Sequence, residues 1–156
     1  MKKYILAFLI SMVPIIELRL GVPYAVGWGV NEFVAIAVCA VGNMIPVPFI
    51  YFFARKFLTW GSRQKLIGKF CGFCLRKGER GGQKLVRSAG RGGLFIALML
   101  FVGIPIPGTG AWTGTLAASF LDMGFKQTVL AVCLGVLMAG CIMALASTGV
   151  FHFMGL

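Results

Sequence analysis

Residues 94–121 read Leu94-Phe-Ile-Ala-Leu-Met-Leu-Phe-Val-Gly103-Ile-Pro-Ile-Pro-Gly-Thr-Gly110-Ala-Trp-Thr-Gly-Thr-Leu-Ala-Ala-Ser-Phe-Leu121. A helix needs about 20 consecutive apolar residues to cross the hydrocarbon core of a bilayer, and this run is long enough. Its middle, from Gly103 to Gly110, nevertheless carries three Gly and two Pro, the residues least compatible with a helix interior. The stretch therefore reads as helix, break, helix. Irregular backbone at membrane depth survives only where protein buries it or water reaches it, so the break should face an interior site.

The N-terminal part has the same outline. Residues 4–16 are apolar but too short to span, Glu17-Leu-Arg19 interrupts them, and a second short apolar piece runs over 20–30. Two further segments are uninterrupted: 33–54, free of charge until Arg55 and Lys56, and the chain from 129 onward, free of charge after Lys126. Pro46 and Pro48 should kink the first of these, which membrane helices tolerate. Each half thus has a broken segment, a short polar turn (Asn31-Glu32; 122–126) and a full span. A shift of 91 residues lays Pro14 on Pro105 and Ile15 on Ile106, and a shift of 94 pairs Ala37-Val-Cys39 with Ala131-Val-Cys133.

If each broken segment is a re-entrant hairpin, each half crosses once and the second half starts where the first ended. The expectation is an all-α polytopic membrane protein forming one membrane domain. It consists of a first repeat (1–56), a basic cytoplasmic linker (57–92) and a second, inverted repeat (93–156). Both termini then lie outside, and the breaks meet near the midplane, the arrangement that marks a transport site. The alternative is a bent span for the first segment, with Lys2 and Lys3 cytoplasmic.

Composition supports a membrane location. Of 156 residues 59% are apolar and only 12% charged, and the mean hydropathy is +0.93. The net charge of +11 would suggest nucleic acid in a soluble protein, but all Lys and Arg except Lys2, Lys3, Arg19 and Lys126 lie between Arg55 and Arg91. That clustering reads as a loop (55–92) on the anionic, cytoplasmic side of a plasma or inner membrane, in contact with lipids. Within the loop, residues 65–77 place Leu66, Ile67, Phe70, Cys71 and Cys74 on one face of an interfacial helix. The two Arg-Gly-Gly triplets at 80–82 and 91–93 are too few to imply RNA binding. Lys2, Lys3 and the apolar run after them imitate a secretory signal, but Pro14, Glu17 and Arg19 replace a cleavage site, so the segment is expected to stay in the protein. The Cys71-x-x-Cys74 pair lacks two nearby ligands for zinc and His152 is far away, so neither a metal nor a cofactor is expected. His152 also has no Ser or Asp partner pattern, which argues against an enzyme.

Glu17 and Arg19 are the sharpest functional signal, because ionisable groups at membrane depth are costly and usually functional. Two residues apart, they project to one side of an extended chain but not of a helix. In an unwound break they would line one cavity, paired with each other or with substrate; the alternative is a solvated interfacial turn. Pro14, Gly21 and Pro23, and Pro105, Pro107, Gly108 and Gly110, break helices in either case. Half-helices starting near Pro23 and Ala111 would then aim free N–H groups at the site and attract anions. Thr109, Thr113 and Thr115 add hydroxyls, Trp112 a flat ring, and Asn43 a mid-span amide that serves as helix glue or touches substrate.

Pro14-x-x-Glu-x-Arg19 with Gly21, together with Pro105-x-Pro-Gly-Thr-Gly-Ala-Trp112, resembles the putative small multidrug export protein family over nearly the whole chain. That family is distantly similar to the DedA membrane proteins, and the resemblance implies paired re-entrant hairpins. DedA proteins typically carry arginines in the second hairpin, where this chain has only Gly, Pro and Thr. The expected function is a secondary transporter exporting small organic or drug-like ions, with Glu17 as the proton or cation site. A DedA-type translocase for lipid or polyprenyl-phosphate carriers, with Arg19 holding phosphate, is the second candidate. A non-transporting membrane scaffold is the third. A homodimer is expected, since two spans and two hairpins are little material to shield both breaks from lipid.

Overall fold

A computed structural model of the chain describes residues 2–13, 16–61, 90, 92–106 and 109–153. Among these residues every regular element is a helix: α1 (Lys2–Met12), α2 (Glu17–Gly27), α3 (Glu32–Met44), α4 (Pro46–Gly61), α5 (Gly92–Gly103), α6 (Ala111–Phe120) and α7 (Phe125–Phe153). Two stretches are long and apolar enough to cross a membrane, Glu32–Ala54 and Phe125–Ser147. Their outer faces are apolar: Phe33 is 80% exposed, Phe49 73% and Leu145 74%. Such a surface suits lipid rather than water. The expected interfacial helix at 65–77, with Cys71 and Cys74, lies outside the described residues.

The kink in the first span falls at Ile45, with Pro46 as the first residue of α4. A proline there gives up an N–H that a starting helix leaves unpaired anyway. The first break differs from expectation. It falls between Met12 and Glu17, and α2 begins at Glu17 itself, with Pro23 inside the helix rather than near its start. Glu17 restarts the chain in the left-handed region (φ 47°), which sets the direction of α2. Glu17 and Arg19 therefore occupy the first turn of a helix, not an extended strand.

Small residues let the helices meet. A Cβ on Gly21 would collide with Ser11 Oγ of α1, and one on Gly42 of α3 would lie 2.6 Å from the Phe8 carbonyl oxygen. Contacts of the same kind recur in the second half, where a Cβ on Gly114 would meet Val102 and one on Gly135 would lie 2.7 Å from the Met99 carbonyl oxygen. The α2 and α6 ends match as well. Val30 N–H donates to Ala25 O (3.1 Å) and Met123 N–H to Ala118 O (3.0 Å). Gly29 and Asp122, one residue earlier in each turn, both have positive φ, 74° and 56°. This is the Schellman-type helix stop. Matching positions are 91 residues apart in α1 and α5 (Ser11, Val102) but 93 apart afterwards (Gly21, Gly114; Gly42, Gly135), so the second break is the longer one. The expected shift of 94 in the long helices is corrected to 93. Burial follows it, with Cys39 and Val132 both buried, whereas Ala37 is exposed and Ala131 buried.

The two outer ends of each broken segment lie close together. Lys3 Nζ of α1 donates to the Trp28 carbonyl just after α2, and Leu94 of α5 shares a surface groove with Leu121 and Met123 just after α6. The second turn is tied to α4, since Tyr51 Oη donates to Met123 O (2.5 Å) and Ser119 Oγ to Tyr51 O (3.2 Å).

Candidate functional site

The second break leaves two helix ends bare. α5 ends at Gly103 and α6 starts at Ala111, so the last carbonyls around α5 and the first N–H groups of α6 have no intrahelical partners. Gly110 precedes α6 and supplies no capping side chain. The partners come from the first half. Glu17, only 6% exposed, accepts through Oε1 from the Trp112 backbone N–H at 3.1 Å. Arg19 donates to the carbonyl oxygens of Ile106 and Ile104, the latter at 3.1 Å, and to Thr109 Oγ1 at 2.7 Å. Thr109 is in turn within hydrogen-bond reach of the Ile104 and Ile106 carbonyls, at 3.0 and 2.9 Å.

The sense of both contacts follows the helix dipole. A carboxylate sits at the positive N-terminus of α6 and a guanidinium at the carbonyls that follow α5. Glu17 and Arg19 thus clamp the two breaks together, each holding backbone of the other half. They were expected in one cavity, and both do line a small one, of about 10 Å³, with Asn43, Leu18, Val102 and Ala111. A Cβ on Gly110 would run into the Glu17 carboxylate, so a larger residue there would push that side chain aside.

Asn43 is 2% exposed and its buried Oδ1 has no hydrogen-bond partner. Leaving such an acceptor unsatisfied costs about 1–3 kcal/mol. Trp112 likewise keeps a buried indole Nε1 without a partner; its backbone N–H, rather than its ring, meets Glu17. Thr113 Oγ1 turns back to Gly110 O at 3.4 Å, and Thr115 Oγ1 to Ala111 O at 2.5 Å, so both hydroxyls are spent on their own helix. Gly21 faces α1 and α3 and serves helix packing. Pro105 sits in the second break between the two carbonyls that Arg19 holds. Pro14, Pro107 and Gly108 lie outside the described residues. The functional atoms that sequence reasoning missed are the Ile104 and Ile106 carbonyls. Their one sequence signal is the pair of prolines beside them, which removes competing N–H donors.

Two apolar stretches long enough to span a bilayer, packed beside a charged crossing of two helix breaks, define a membrane protein that is all-helical over its described residues. The chain belongs to the family described as Putative small multi-drug export protein, which matches residues 17–142. That match takes in Glu17, Arg19, Asn43 and the whole second break. No curated protein and no solved structure matches the chain.

Proposed function

We propose that the chain is a multi-pass secondary transporter of the plasma or inner membrane that exports small organic or drug-like ions. In this reading residues 1–56 and 93–156 form an inverted repeat of re-entrant hairpins, with 55–92 cytoplasmic. The returning helix pairs and the recurring Gly contacts and helix stops support that arrangement. The observation that carries the function is the clamp, in which Glu17 and Arg19 of one hairpin hold the exposed helix ends of the other. A neutral carboxyl is a weaker acceptor than a carboxylate. Proton uptake by Glu17 would loosen the N-terminus of α6, separate the breaks and open a path, and proton release would close it.

An anionic lipid carrier is less well served. The N-terminus of α6, where a phosphate would sit, is taken by Glu17, and the Arg19 donors are taken by carbonyls. Part of the Arg19 cluster is solvent-accessible in the single chain, with Ile104 44% and Ile106 54% exposed. Open backbone of this kind at membrane depth needs cover, and a second copy in a closed two-fold dimer provides it.

The test is ethidium flux in proteoliposomes under an imposed pH gradient. The parent should respond to the gradient, and Glu17→Gln should insert normally and lose the response. Flux that ignores the gradient in the parent rejects proton coupling. Co-purified polyprenyl phosphate in native mass spectra would favour the lipid carrier instead.

A further inference from the structure

The cavity beside the clamp is too small for the proposed cargo. Its volume of about 10 Å³ matches the room that a single water molecule needs. A buried water also needs two or more polar partners, and this one has them. Asn43 Oδ1 from α3 is buried and unpartnered, and the Glu17 carboxylate and Arg19 line the same space. The other walls, including Leu18, Val102, Ala111 and Val136, are apolar.

We infer that this cavity holds one water molecule, donating to Asn43 Oδ1 and to the Glu17 carboxylate, and that this water delivers the coupling proton. The inference rests on the proposed proton-coupled reading and names its ion. A hydronium arriving at the cavity passes one proton to a Glu17 carboxylate oxygen and remains as water, still donating to Asn43. Asn43 is a positioning residue, holding the water in line without itself changing protonation.

Size and ligand number select water over a bare cation such as Na⁺. Glu17 already faces Arg19 on its own helix and the N–H end of α6. From α3 it meets the neutral amide of Asn43, and from α5 and α7 the apolar Val102, Val136 and Ala139. A bare cation there would find only the Asn43 amide oxygen as a side-chain ligand beyond the Glu17 carboxylate, too few to replace its water shell.

The experiment is an infrared pH titration of the protein in detergent, following the protonated-carboxyl stretch that Glu17→Gln removes. Asn43→Leu removes the acceptor and fills the cavity. The midpoint of the Glu17 band should then rise by about one pH unit, a tenfold gain in proton affinity, because the carboxylate loses its water. Asn43→Ser keeps an acceptor and room for water and should leave the midpoint near the parent value, which also controls for folding. Replacing choline chloride by sodium chloride should change nothing. An unmoved midpoint in Asn43→Leu overturns the relay while leaving proton coupling intact, and a sodium-dependent midpoint overturns it in favour of a metal-cation site. Absence of any titrating Glu17 band rejects both the relay and the proton-coupled reading.

Discussion

The two breaks are built on one frame but have opposite chemistry. The first is short and is followed at once by Glu17 and Arg19; the second is longer, uncharged, and offers only backbone and the Thr109 hydroxyl. At matching positions Glu17 corresponds to Gly110 and Arg19 to Trp112. A charged group in one half therefore meets an absent side chain in the other. The lesson is that a near-symmetric frame can be closed by unequal contents, where one side brings charge and the other brings unsatisfied helix ends.

The comparison is broken most severely at the charges. Glu17→Ala and Arg19→Ala should each destabilise by about 1.5–3 kcal/mol, the scale of hydrogen bonds to charged groups, Arg19 at the lower end because it is only half-buried. Each charge has separate backbone partners, so the double variant should lose close to the sum in detergent unfolding. Rescue in the double variant would instead indicate a direct ion pair. A smaller effect tests the shared frame. Gly42→Ala and Gly135→Ala place a Cβ at nearly equal distances from a carbonyl of the packed helix, 2.6 and 2.7 Å. Both should cost about 1–3 kcal/mol and by similar amounts, whereas a tolerated change at only one would show that the halves pack differently. The smallest effect lies at the turns. Asn31 caps α3 through Phe33 N–H at 3.0 Å, while its counterpart Gly124 has no side chain and open space around it. Asn31→Ala should cost about 1 kcal/mol, and Gly124→Asn should gain a few tenths, measured as unfolding midpoints.

The second break was legible in sequence because its Gly and Pro residues are grouped within a few positions. The first was misplaced by several residues, since Pro23 reads as a helix breaker but lies inside α2. Pro23 removes a single backbone hydrogen bond from a helix whose packing involves α1, α3 and α7, and that packing holds it together. That Glu17 and Arg19 sit at a helix break could be read from sequence, but most of their partners could not. Apart from the Thr109 hydroxyl, those partners are main-chain atoms some ninety residues away, and a carbonyl has no letter in a sequence. The small cavity at Asn43 is equally silent, because it arises from how several helices meet.

The pairing of Gly110 with Glu17 also constrains how such a chain can change over time. Two copies of the first half joined together would bring a second carboxylate into the space that Gly110 leaves empty. Two copies of the second half would bring bare helix ends with no counterion. Neither half supplies what the other does, and a side chain gained at 110 would push the Glu17 carboxylate away from the N-terminus of α6.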